Sequence, residues 1–128
     1  MPTPDQLIHW FKYQGTGTDA DKAKHQAIRA AEAECGSALA RAMIDGDFQA
    51  ISDACLTFAV VLNAEAPESA DKTAAIRCVR LARMAANEAI LLNRRGEPGG
   101  VETCGALAMQ QLRLARYQGS AAVACGGK

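Results

Sequence analysis

Tyr13 closes a short apolar segment and is followed by Gly15-Thr16-Gly17 and then by Lys22, Lys24 and Arg29. A tyrosine ring gives a nucleobase a flat stacking face, worth ~1–3 kcal/mol per base. Lysines close to a helix N-terminus add donors for phosphate. The alternative reading of the same residues is a core tyrosine beside a solvated lysine face. A second cationic set, Arg77, Arg80 and Arg83, recurs every three residues. Such a stripe drifts slowly around one helix and faces a ligand, an acidic neighbouring chain or solvent.

Other chemistry is poorly served. The five cysteines, at 35, 55, 78, 104 and 125, are never closer than 20 residues and make no C-x-x-C. Neither His9 nor His25 supplies the short spacing that a zinc site wants, so no metal is expected. The thiols read as small apolar groups in helix seams of a reduced, cytoplasmic protein. Glu32 and Glu34 fall on different faces of a helix and do not form an acid/base pair. Asp45 and Asp47 flank a turn and read as caps. No phosphate-binding glycine loop, zinc-protease or serine-hydrolase motif occurs, and no nucleophile–base–orienter set is visible. The expectation is a non-enzyme without a cofactor.

The elements that must position these residues are helices. The chain has 128 residues, of which 27 are Ala and 10 Leu against 17 Ile, Val and Thr together. That bias favours helix and disfavours a sandwich or barrel. Thr3-Pro4-Asp5-Gln6 predicts a short N-terminal helix carrying Trp10, Phe11 and Tyr13. Thr18 with Asp21 predicts the start of a helix running from about Asp19 toward Ile44, with Gly36 inside it as a kink or close crossing. Gly46 ends that helix, and Asp47 caps the next, Phe48 to Glu65. Ser69 caps a helix over about 70–94, with Ile76, Val79, Ala82, Ala86 and Ile90 as its buried stripe. Glu97-Pro98-Gly99-Gly100 is a linker. A last helix is predicted over about 101–118, stopped by Gly119, with a loose tail from Ser120 to Lys128. The whole is an all-α small bundle built on a long helical hairpin. Residues 1–96 form the hairpin domain with an insertion near 33–55, and 97–128 add a C-terminal helix and tail.

Charge refines the list of partners. Residues 1–65 hold 5 Lys/Arg and 9 Asp/Glu, and residues 66–128 hold 9 and 5, so the halves carry −4 and +4 and the total is zero. A neutral chain is poorly suited to long nucleic acid, which needs many phosphate contacts. A small anionic ligand still suits the basic half, and attraction between the halves, within or between chains, is the alternative. No apolar run approaches the ~18 residues of a membrane span, and Met1 to Gln6 lacks the basic start of a secretory signal.

Four pieces in order carry a resemblance: Ile8-His9-Trp10-Phe11-Lys12-Tyr13, Ala27-Ile28-Arg29, Ala66 through Arg77 with its P-x-S-x-D-K-T-x-A pattern, and Met84 through Ile90. Together they resemble the helical-hairpin domain of phage anti-defence signal sponges, shared by anti-CBASS and anti-Thoeris proteins. The resemblance implies an all-helical homo-oligomer, a dimer or hexamer, in the cytosol of an infected bacterium. It implies binding, without cleavage, of a cyclic oligonucleotide or cyclic ADP-ribose isomer in pockets between protomers. Carried over, Tyr13 stacks on a base, Arg29 with Lys24 behind it holds phosphate, and Thr73 and Arg77 line the pocket. Asn87 is assigned a packing or helix–helix hydrogen-bonding role. The chain departs from the pattern after Tyr13, where Gln14-Gly15-Thr16-Gly17 replaces the family's histidine and prolines, and in the 37 residues between Arg29 and Pro67. Residues 97–128 have no counterpart. The competing reading is a helical interaction module with no small-molecule ligand.

Overall fold

A computed structural model describes residues 3–4 and 18–125. The short N-terminal helix expected around Tyr13 lies outside the described residues, apart from its first positions. Helix α1, Asp19–Asp45, starts where Thr18 Oγ1 accepts the Asp21 N–H at 3.1 Å. It ends at Gly46, whose φ of 71° is the left-handed geometry that glycine adopts without a Cβ penalty. The N–H groups of Gly46 and Asp47 both fold back onto Ala42 O. Helix α2, Phe48–Glu65, begins under Asp47, whose Oδ1 accepts the Ala50 N–H at 3.0 Å. Helix α3, Ala70–Arg94, begins under Ser69, whose Oγ accepts the Lys72 N–H at 3.1 Å. Each of these caps satisfies an N–H that has no partner inside its helix. Asp47→Ala should therefore lower stability by about 1 kcal/mol, read as a shift in the urea midpoint at unchanged slope. An unmoved midpoint would show that the α1–α2 junction does not depend on its cap.

A six-residue π-helical turn, Gly100–Gly105, leads into helix α4, Ala106–Cys125. Consecutive helices pack on one another and α4 returns to α1, while the diagonal pairs α1–α3 and α2–α4 meet least. The order is up-down-up-down, with α1 and α3 on one diagonal. At one end, Arg94 Nη2 donates to Gly46 O at 3.0 Å, and its guanidinium lies 4.8 Å from the Phe48 ring centre. This ties the end of α3 to the α1–α2 turn. At mid-bundle, Glu32 of α1 pairs with Arg116 of α4, both side chains about four-fifths buried.

Among the described residues the core is assembled from one stripe per helix: Ile28, Leu39 and Met43; Ile51, Phe58 and Leu62; Val79, Ala82, Ala86 and Ile90; Ala108, Leu112 and Ala115. Nine of the 21 buried apolar residues are alanine. Backbones approach closely at such positions, and the few large side chains carry most of the buried area. Of the stripe expected on α3, only Ile76 falls at the edge of the core.

Two expectations for the C-terminal segment are corrected. The α-helix does not begin near 101: residues 100–105 wind as a π-turn in which the Cys104 N–H reaches Gly99 O at 3.0 Å. Nor does Gly119 stop the helix, which continues to Cys125, so residues 120–125 are ordered helix rather than a loose tail. Gly119 is there for space. A Cβ on it would stand 2.5 Å from Leu62 Cδ2 and 3.5 Å from Ile28 Cδ1, both on fully buried side chains. The missing side chain lets α4 close onto α1 and α2 at once.

Candidate functional site

On α3 the three-residue spacing brings Arg77, Arg80 and Arg83 to the surface, all exposed. The ridge does not act as one unit. Arg80 and Arg83 line a groove of about 200 Å³ between α2 and α3, whose other walls are Ser52, Cys55, Leu56 and Ala59 of α2. Arg77, one turn earlier, lies outside it. The small residues Ser52 and Ala59 on the facing stripe of α2 leave the space, and the α2–α3 packing supplies the floor. No carboxylate pairs with Arg77, Arg80 or Arg83 among the described residues, where the ion pairs are Lys72–Glu68, Arg95–Glu97 and Arg116–Glu32. Two unneutralised guanidiniums flanking one concavity make a fork-shaped donor set for phosphate or carboxylate.

The groove floor carries a thiol with unusual neighbours. Cys55 is held below the ordinary thiol range, first by a hydrogen bond from the Cys35 thiol and also by the Arg83 charge, against an opposing effect of burial. Cys35 is pushed in the other direction by that same hydrogen bond and by burial.

Larger cavities are less suited to an anion. One, of about 370 Å³, sits at the α1–α2 turn and sets Asp45 and Asp47 against a single Arg41. Another, of about 220 Å³ in the α1–α2 seam, has Glu34 at its wall beside Cys35 and Phe58. Among the described residues no group of His, Cys, Asp and Glu is arranged to hold a metal ion. No helix among them is long and apolar enough to cross a membrane.

The residues singled out by sequence fall as follows. Tyr13 lies outside the described residues. Lys24 is half-buried and Arg29 exposed, both on the first half of α1. Thr73 and Arg77 are exposed in the first two turns of α3, where the Thr73 hydroxyl donates to Ser69 O at 3.3 Å. The antiparallel order puts these pairs at the same end of the bundle but on diagonal helices, so one chain does not close them into one pocket. Neither Lys24 and Arg29 nor Thr73 and Arg77 line any of the three cavities described above. Asn87 is half-buried, and its Oδ1 is buried with no hydrogen-bond partner among the described residues, so the hydrogen-bonding alternative for it finds no partner there. Sequence reasoning found Arg80 and Arg83 as part of a stripe but did not assign them to a site, and it missed Ser52 and Cys55. The available signal was the pairing of a basic ridge on α3 with a small-residue stripe on α2.

No family model, curated protein or solved structure matches the chain.

Proposed function

We propose that this chain sequesters a cyclic nucleotide-type bacterial immune signal, a cyclic oligonucleotide or a cyclic ADP-ribose isomer, and holds it intact as a homo-oligomer in the host cytosol. The observation that carries this reading is the α2–α3 groove with Arg80 and Arg83 at its wall, unpaired among the described residues. Positive charge without an internal partner is stabilised by an anion from outside, and phosphate is the anion these signals carry. At about 200 Å³ the groove is smaller than the ~300–1,000 Å³ of typical ligand pockets. It admits a phosphate and part of a sugar, and a second copy of the chain supplies the remaining walls. Leu56 of its wall is exposed, as are Val60 and Met84, the neighbours in sequence of its lining residues Ala59 and Arg83, and they give two copies apolar surface to share. In this arrangement Tyr13, Lys24, Arg29, Thr73 and Arg77 are the residues that the resemblance contributes, and Arg80 and Arg83 those that the geometry adds.

Sequestration asks for tight binding and slow release, with no group to break a bond. The test is uptake from a panel of cyclic di- and trinucleotides and cyclic ADP-ribose isomers, followed by heat denaturation and analysis of what is released. One panel member should be depleted from solution and recovered intact. Recovery of a hydrolysed product would replace sequestration with catalysis. No uptake across the panel would favour the interaction module, for which the same exposed Leu56, Val60 and Met84 would be the contact surface.

A further inference from the structure

The charge separation between the two halves of the chain is barely relieved inside the bundle. Residues 1–65 and 66–128 carry −4 and +4, yet of the three ion pairs among the described residues only Arg116–Glu32 joins one half to the other. We infer that in the ligand-free chain the basic α3 ridge of one copy, Arg77, Arg80 and Arg83, docks head to tail into an acidic trough between α1 and α2 of a second copy. The inference goes beyond signal binding and does not need it, because the contact is one that the chain makes with itself.

The trough consists of the two α1–α2 cavities, of about 220 and 370 Å³, which share Ala38 as a wall. Glu34, Asp45 and Asp47 stand along it against one Arg41, all four exposed. None of the four holds an ion pair among the described residues. Between the charges the walls are small, with Ala31 and Ala54 in one cavity and Ala50 in the other. Such a surface takes the methylene stem of an arginine while its guanidinium reaches a carboxylate.

Charge, length and apolar contact select a second copy as the occupant. The total charge is zero, so the chain carries its own complement in equal amount. The ridge from Arg77 to Arg83 runs ~9 Å along α3 and the trough from Glu34 to Asp45 ~16 Å along α1, so the ridge seats within the trough. Leu81 and Met84, 42% and 61% exposed, interleave with the arginines in sequence and gain apolar contact on the alanine walls. Pairing two α3 ridges face to face would instead set like charges together. Because ridge and trough are different surfaces, a pair of copies leaves one of each free, and the contact repeats beyond the dimer. A phosphate that enters the α2–α3 groove takes Arg80 and Arg83 from the neighbour's carboxylates, and the copies then meet through exposed Leu56, Val60 and Met84. That exchange alone rests on signal binding.

Sedimentation equilibrium of the whole chain, with no nucleotide present, tests the contact and leaves the signal reading untouched whichever way it falls. At about 0.05 M NaCl the average mass should rise with concentration past that of a dimer, and at about 0.5 M, where screening is about threefold shorter, the association constant should be at least about tenfold lower. Arg80→Glu with Arg83→Glu, and separately Glu34→Arg with Asp45→Arg, should each weaken association at least about tenfold at low salt. The chain carrying all four substitutions exchanges the two charges and should recover to within about threefold of the unaltered chain. Lys22→Glu with Arg113→Glu, both exposed, shifts net charge as far as the arginine reversal does but leaves ridge and trough intact, and should also associate within about threefold. The unaltered chain decides the matter even if a reversed chain fails to fold: a mass that stays monomeric at low salt, or that stops at the dimer, would overturn the inference. So would a Glu34→Arg, Asp45→Arg chain that associates as the unaltered chain does, because its trough could no longer receive the ridge.

Discussion

Phe58→Ala should remove about 3–5 kcal/mol of stability and lower the melting temperature by about 10–20 °C for a chain of this length. Phe58 is fully buried at the middle of α2 and heads the seven largest side chains with essentially no exposure. In a core where nine of the 21 buried apolar residues among those described are alanine, a lost phenyl ring cannot be replaced by rearrangement of neighbours. Alanine has no rotamer to adjust, so the cavity stays open and the cost lies at the upper part of the usual range. A single domain has only about 5–15 kcal/mol to lose, so the variant should be largely unfolded near physiological temperature. Phe58→Leu keeps most of the volume and should cost less than about 2 kcal/mol. Urea titration of both variants, followed by circular dichroism, measures the difference. A loss below about 1 kcal/mol in Phe58→Ala would mean that α2 does not carry its phenyl ring into the bundle.

Much of this architecture is legible residue by residue. Thr18, Asp47 and Ser69 announce helix starts because their short oxygens reach back to a free N–H, a purely local event. Gly46 before Asp47 marks a boundary for the same reason: its left-handed turn needs no tertiary partner. The stripe of Val79, Ala82, Ala86 and Ile90 follows from helix period alone. Gly119 shows where local reasoning ends. A glycine that terminates a helix and one that admits a neighbouring side chain have the same sequence signature, and only the positions of Leu62 and Ile28 separate the two. The π-turn is similar. It sits where Gly100 lies under the Asn93 carboxamide and the Ala89 carbonyl of α3, a constraint imposed from outside the segment. For the candidate site, spacing reveals a basic ridge on α3. Which two of its three arginines share a groove depends on the register of α2 against α3. The resemblance, likewise, groups Lys24 and Arg29 with Thr73 and Arg77, but whether they converge depends on tertiary packing across the α1–α3 diagonal, which local sequence does not encode.

Reversing both groove charges, Arg80→Glu with Arg83→Glu, should weaken uptake of the panel member that the unaltered chain retains by about 100-fold or more. At about 4 Å a unit charge pair is worth ~1 kcal/mol in bulk water and ~4 kcal/mol at a protein surface with an effective dielectric near 20. Each substitution removes one attraction and installs one repulsion, so a loss of about 3 kcal/mol for the pair is a low expectation, and every 1.4 kcal/mol is tenfold. Folding should be almost unaffected, because both side chains are exposed and neither holds an ion pair among the described residues. Salt provides the internal check. Affinity of the unaltered chain should fall as ionic strength rises, because exposed charges are screened beyond about 10 Å at 0.1 M, and the doubly reversed chain should lose that dependence. Arg113→Glu, on the exposed face of α4, lowers net charge without touching the groove and should leave affinity within about twofold. If the reversed chain binds as the original does while Arg77→Glu or Arg29→Glu does not, the anion is gripped at the other end of the bundle and the groove is not its seat. If all four variants bind alike, charge does not hold the signal, and a neutral contact surface between helices becomes the better account of the exposed Leu56, Val60 and Met84.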